Sequence, residues 1–185
     1  SVSVMAAAEP LRVFAAGSLR AALTELGAAY QAKTGTEVAL TFGASGLLRD
    51  RLAKGEAADV FASANVEHPE ALAKSGMAGA VRVFARNELC ALASPKVNAQ
   101  PENLLKAMQD PTVKLGISTP KADPSGDYAM QVFDKAEALA GKPVGDALRA
   151  KAQQLTGGPN SPPPPPNRSV YGELVAGGQA DVFLT

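Results

Sequence analysis

Four times along the chain a short apolar run breaks on a turn of small residues and gives way to residues at helical spacing. A strand returning parallel to its neighbour needs a long crossover, which a helix supplies, so alternation at this pace dictates a parallel sheet in an α/β layer fold. The fullest copy is residues 42–64, FGASGLLRDRLAKGEAADVFASA. It reads as strand end, tight turn at Gly43, Ala44, Ser45 and Gly46, helix on Leu47, Leu48 and Leu52, Gly55 stop and new strand. Small residues let the backbone approach a ligand, and the helix behind them aims unpaired N–H groups and its positive dipole end at that ligand. A single turn of this kind is an ordinary helix start; its recurrence makes it an anion seat.

The other copies follow in order. Residues 11–15 (LRVFA) form a strand, Ala16, Gly17 and Ser18 the turn, and Leu19, Leu23, Leu26 and Tyr30 one face of a helix that Gly35 stops. Strands are expected at 37–42, 59–63, 81–86, 89–94 and 115–118, with helices at 67–75 and 103–109. The third junction is Asp123, Pro124, Ser125, Gly126, Asp127, Tyr128. It opens a helix whose face carries Ala129, Val132, Phe133, Ala136 and Ala140, and Asp127 in its first turn is accounted for by the dipole. A helix at 144–153 leads to Gly157, Gly158 and the five prolines 162–166, an extended connector within the lobe. Arg168, Ser169, Val170 and Tyr171 open the last helix, to Gly177.

An internal echo sets the domain organisation. Leu52, Gly55, Ala58, Asp59, Val60 and Phe61 recur at the same spacing as Leu174, Gly177, Ala180, Asp181, Val182 and Phe183. Two lobes of similar build follow, at 11–83 and 84–185, after a flexible arm at 1–10, each offering a strand-to-helix edge to a shared cleft.

Composition excludes several functions. Lys plus Arg and Asp plus Glu are both 18, so nothing favours nucleic acid or an anionic membrane. No apolar run approaches the roughly 20 residues of a membrane span, so the chain is expected to be soluble. The single cysteine, Cys90 in LCALA, reads as a buried core thiol and the single histidine, His68, as a solvated surface residue with no metal-ligating company. Ser45 in G-A-S-G-L does not fit a G-x-S-x-G elbow, and neither a phosphate loop nor a dinucleotide fingerprint is present. No enzyme, catalytic residue or cofactor is expected. Residues 1–10 (SVSVMAAAEP) suit a frayed arm or the remnant of a signal peptide.

Taken together, AAGSL (15–19), GASGLL (43–48), GEAADVFASA (55–64), DPSGDYA (123–129) and VYGELVAGGQADVFLT (170–185) resemble the periplasmic molybdate-binding proteins of ABC importers, in order from Leu11 onward. The resemblance implies an α/β, two-lobed periplasmic-binding-protein type II fold with molybdate or tungstate in the cleft. It places the ligand contacts at Ser18 and Ser45, through hydroxyl and backbone N–H, and at the backbone N–H groups of Ser125 and Val170. These are contacts to the oxyanion oxygens and not metal ligands. It further implies a monomer in the periplasm that delivers its ligand to a membrane permease. The family's tyrosine contact and closing segment would fall beyond Thr185, so the chain is read as lacking its C-terminal return to the first lobe.

The residues agree with this on physical grounds. Neutral hydroxyls and backbone N–H groups give a dianion charge-assisted bonds about twice as strong as neutral ones, without the desolvation cost of a buried cation. A site made only of donors rejects an oxyanion that keeps a proton, so phosphate is expected to lose. A sulfate or other small-anion protein is the alternative, and it would bring Arg168 or Lys121 to the ligand. A ligand-sensing effector domain of a regulator is the third reading.

Overall fold

The computed structural model describes residues 8–185; residues 1–7 of the expected arm lie outside the described residues, and residues 8–10 carry no regular structure. The chain divides into two compact units, Ser1–Phe84 and Ala85–Thr185.

In the first unit, β1 (Leu11–Ala16), α1 (Arg20–Thr34), β2 (Val38–Gly43), α2 (Ser45–Ala53), β3 (Val60–Ala62) and α3 (Glu67–Lys74) follow one another. The sheet order is β2-β1-β3, all parallel, with Val13 opposite both Leu40 and Val60. Val13, Ala15 and Ala62 form its buried centre, covered by Leu11, Leu19, Leu23, Val38, Leu40 and Phe42. The 3-10 turn Gly17–Leu19 leads into α1, and Gly35 closes that helix in the left-handed region at φ 74°, as its glycine predicts.

The packing of α1 departs from expectation. Its one buried residue is Gly27, where an added Cβ would sit 3.4 Å from Val38. The helix therefore docks on β2 along Leu19, Leu23 and Gly27, spaced by four, and the missing side chain sets the close approach. Leu26 and Tyr30 fall a step further round and are exposed. His68 is also corrected: it is buried at 7% exposure, one helical turn before buried Leu72 on the inner face of α3.

The second unit contains β4 (Ala91–Ala93), α4 (Leu104–Gln109), β5 (Leu115–Ser118), α5 (Pro124–Ala140), α6 (Lys142–Lys151), β6 (Gln153–Thr156), α7 (Val170–Ala176) and β7 (Val182–Leu184). Its sheet runs β4-β7-β5-β6, with β4 antiparallel to β7 and the other pairs parallel. Leu115, Ile117, Ala129, Phe133, Leu148, Val182 and Leu184 are its buried core. Phe183 packs on the opposite face against Val175 and Ala180. The strand β6 is absent from the sequence reading, because Gln153, Gln154, Leu155 and Thr156 carry no apolar alternation. It forms because the edge of β5 offers it a backbone ladder.

The expected strand at 81–86 does not form: residues 82–88 are exposed, Val83 and Phe84 by about two thirds (63% and 64%). An apolar run becomes a strand only beside a partner, and none pairs with it among the described residues. The strand expected at 89–94 is reduced to β4, and Cys90 is exposed rather than buried. Cys90 nonetheless keeps its backbone ladder, donating to Thr185 O at 2.7 Å and accepting from Thr185 N at 2.9 Å.

Both units follow one path. The first strand of each βαβαβ run is central, the second lies on one side and the third on the other: β2-β1-β3 and β6-β5-β7. The first connection thus runs from the central strand to one side and the second crosses back over it to the other, and it is outside the carboxyl ends of such strands that α/β folds hold ligands.

Candidate functional site

The carboxyl edge of the first unit is built from three turns. After β1, Gly17 and Ser18 are exposed and the N-cap position is Ala16, which offers no side-chain cap. After β2 the N-cap is Ala44, again without a capping side chain, and α2 begins on Ser45 and Gly46, both buried. The opening N–H groups of α2 therefore have no side-chain acceptor, and they carry the positive end of the helix dipole. After β3, Asn65 ties the third turn by accepting from His68 N at 3.3 Å.

Ser45 links these turns. It is 1% exposed, and its Oγ accepts the backbone N–H of Ala64 at 3.0 Å. Since β1 lies between β2 and β3, this bond spans the central strand and fixes the β2 and β3 turns to each other. Ser18 differs: it is exposed, at a turn with no side-chain cap. One cation belongs to the same edge, for Arg20 on the first turn of α1 places its guanidinium 4.6 Å from the ring centre of Phe42.

The second unit presents its edge differently, because both of its helices here are capped by their own side chains. Ser169 Oγ accepts Gly172 N–H at 3.3 Å at the start of α7, leaving Val170 as the first helical residue. Asp123 caps α5, its Oδ1 accepting Ser125 N–H at 3.3 Å. Burial raises the pKa of the Asp123 carboxyl, against the bonds from Ser125 and Ser118 that would lower it. Asp127, further along the first turn, accepts Lys121 N–H at 2.8 Å. Gly126 holds α5 against β5: a Cβ there would lie 2.6 Å from Ser118 O, Thr119 C and Pro120 N.

Ser18 and Ser45 thus stand on one edge in the first unit, and Ser125 and Val170 each open a helix in the second. The sequence reading did not single out Asp123, although Asp-Pro-Ser before an apolar face is a legible N-cap signal. Arg168, named for the sulfate alternative, is 65% exposed and pairs with Glu173 at 3.2 Å. Lys121 is exposed too. Among the described residues no group of His, Cys, Asp and Glu is arranged to hold a metal ion, and no helix is long and apolar enough to cross a membrane.

Two units that each follow this strand–helix path define the α/β fold of type II periplasmic binding proteins. The chain belongs to the bacterial extracellular solute-binding protein family, whose match covers residues 11–185. It is 37% identical over 175 residues to the uncharacterized protein PM1146 of Pasteurella multocida, covering 94% of this chain and 72% of that protein. It is 38% identical over 89 residues to the molybdate-binding protein ModA of Mycobacterium tuberculosis, covering 47% of this chain and 34% of the relative. The chain thus matches about a third of that protein's length. Among solved structures, the Azotobacter vinelandii periplasmic molybdate-binding protein superposes with a TM-score of 0.73 at 23% identity, over 95% of this chain and 70% of that one. The sulfate-binding protein SubI of M. tuberculosis gives 0.67 at 15% identity, over 96% and 64%.

Proposed function

We propose that this protein captures a small tetrahedral oxyanion, molybdate or tungstate first among them, for delivery to the permease of an ABC importer. In this reading it works as a monomer in the periplasm and catalyses no reaction. The observation that carries the reading is the edge around Ser45: helix starts closed by Ala16 and Ala44 rather than by capping side chains, with backbone donors left over. Ser18 and Ser45 supply hydroxyl and N–H donors, and Ser125 and Val170 supply N–H donors. The partial match to ModA supports molybdate over sulfate, and Arg168, paired with Glu173, lends the sulfate alternative no support.

Calorimetric titration with molybdate, tungstate, sulfate and phosphate tests the reading. Binding of the first two is expected, weakened at least about 100-fold by Ser18→Ala with Ser45→Ala, since two charge-assisted bonds are lost. Unchanged affinity in the folded double variant would overturn the site.

A further inference from the structure

The connection from β6 to α7 is longer than the fold requires. Its counterpart in the first unit, from β2 to α2, is the single residue Ala44, whereas residues 157–169 lie between β6 and α7. A connection of this length without helix or strand is uncommon inside a compact unit and generally functional. At its middle stand the five prolines 162–166. They carry no N–H, so the run can neither continue a helix nor enter the middle of a sheet, and it presents only carbonyl acceptors and pyrrolidine rings.

The run is exposed and held at both ends. Pro162, Pro163, Pro164 and Pro166 are exposed and Pro165 is half-buried. With three residues to a polyproline II turn, Pro162 and Pro165 share one edge and Pro163 and Pro166 the next. Pro165 turns its edge toward the protein, which leaves the Pro163 and Pro166 edge free. Upstream, Gly158 N donates to Ser161 Oγ at 2.9 Å and Ser161 N donates to Gly158 O at 3.2 Å. Downstream, Asn167 turns the chain at φ 59° and Ser169 caps α7. A segment fixed in this way loses little further freedom on binding.

Charge adds direction to the run. Arg168 stands two residues past Pro166, exposed, and its pair with Glu173 at 3.2 Å is of the solvent-facing kind that contributes little. The guanidinium can therefore exchange Glu173 for another carboxylate. Pro163, Pro166 and Arg168 are thus spaced P-x-x-P-x-R.

We infer that residues 162–168 are a docking ligand for a partner protein whose groove is lined by aromatic side chains and flanked by a carboxylate. The rings of Pro163 and Pro166 sit between the aromatic rings, indole or phenol donors of the groove bond the free carbonyls, and the carboxylate takes Arg168 from Glu173. None of these residues is among the proposed oxyanion contacts, so the inference stands apart from the identity of the anion.

The test is a nuclear magnetic resonance titration of an isotope-labelled SH3 domain that binds P-x-x-P-x-R peptides with the whole 185-residue chain. Shifts confined to the domain's aromatic groove, reversed by adding its own P-x-x-P-x-R peptide, are the expected result. Pro163→Ala with Pro166→Ala is expected to weaken the interaction at least about tenfold, because both ring contacts and the preformed extended backbone are lost. Arg168→Gln is expected to weaken it about threefold, as an exposed charge pair should. If the double proline variant does not fold, Arg168→Gln and the peptide competition decide alone. No groove shifts at millimolar chain, shifts that the peptide does not reverse, or equal affinity in folded variants and wild type each overturn the inference.

Discussion

Asp181 and Lys114 exchange two hydrogen bonds: Asp181 N donates to Lys114 O, and Lys114 N donates to Asp181 Oδ2, each at 2.8 Å. One residue earlier than the β5–β7 ladder, the aspartate thus uses backbone and side chain to close the amino end of the sheet. The first unit repeats the device. Asp59 N donates to Arg12 O and Arg12 N donates to Asp59 Oδ2, again at 2.8 Å each, beside the β1–β3 ladder. The sequence echo around ADVF is therefore the same clamp made twice.

Replacing either aspartate by alanine is expected to cost about 0.5–1.5 kcal/mol, the net worth of one such bond. Asp59 also meets the Arg12 guanidinium at 3.3 Å, but an exposed ion pair adds little. Urea denaturation of Asp59→Ala and Asp181→Ala should therefore give losses within about 0.5 kcal/mol of each other, as each removes one backbone clamp. A much larger loss at Asp59 would show that the ion pair, not the backbone clamp, closes that edge.

The two serines of the first unit should separate binding from folding. Ser45→Ala removes the bond to Ala64 N and is expected to lower stability by about 1 kcal/mol as well as weaken the oxyanion. Ser18 is exposed, so Ser18→Ala should change stability by less than about 0.5 kcal/mol while weakening binding. Thermal melts and titrations on both variants check the contrast.

Gly126→Ala should be costly, because the new Cβ would meet three backbone atoms of residues 118–120 at 2.6 Å and backbone cannot yield as a side-chain tip can. A loss of about 2 kcal/mol or more is expected. Gly17→Ala, with nothing within 4 Å, is the control and should leave the urea midpoint almost unchanged.

Asp123 sets a pH dependence whose sign can be worked out. Its folded pKa is raised, by burial first, so the folded state binds its proton more tightly than the unfolded chain does. Stability is then fully present below the ordinary carboxylate value and falls as pH rises through the raised one. Asp123→Asn carries no charge to bury. Melts from pH 4 to 8 should show it gaining on the wild type as pH rises, and a difference that stays flat across that range would contradict the buried carboxyl.

Arg20 offers a kinetic prediction. Held over Phe42 at the edge that carries Ser18 and Ser45, it should draw anions without seating them. Arg20→Gln is expected to leave stability within about 1 kcal/mol, the worth of an exposed cation–π contact. It should slow association, more at low salt than at high; stopped-flow mixing at two ionic strengths measures it.

What the sequence determined by itself was the alternation of strand and helix, the small-residue turns and the repeated ADVF segment, all set by local spacing and by what glycine and alanine allow. Those features were enough to read an α/β layer fold and the elements bearing Ser18, Ser45, Ser125 and Val170, while the type II binding fold was implied by the resemblance to molybdate-binding proteins. Tertiary structure decided what depends on a neighbour from far along the chain. The polar QQLT became a strand because β5 had a free edge, whereas apolar 81–86 found no partner strand. Gly27 turned α1 so that Leu26 faced out, and His68 was buried by the face α3 presents. The Asp123 cap on Ser125 N–H is local, but the raised pKa of that carboxyl arises only when its surroundings come together and bury it. Local pattern fixes which backbone can form; burial and charge belong to the assembled surroundings.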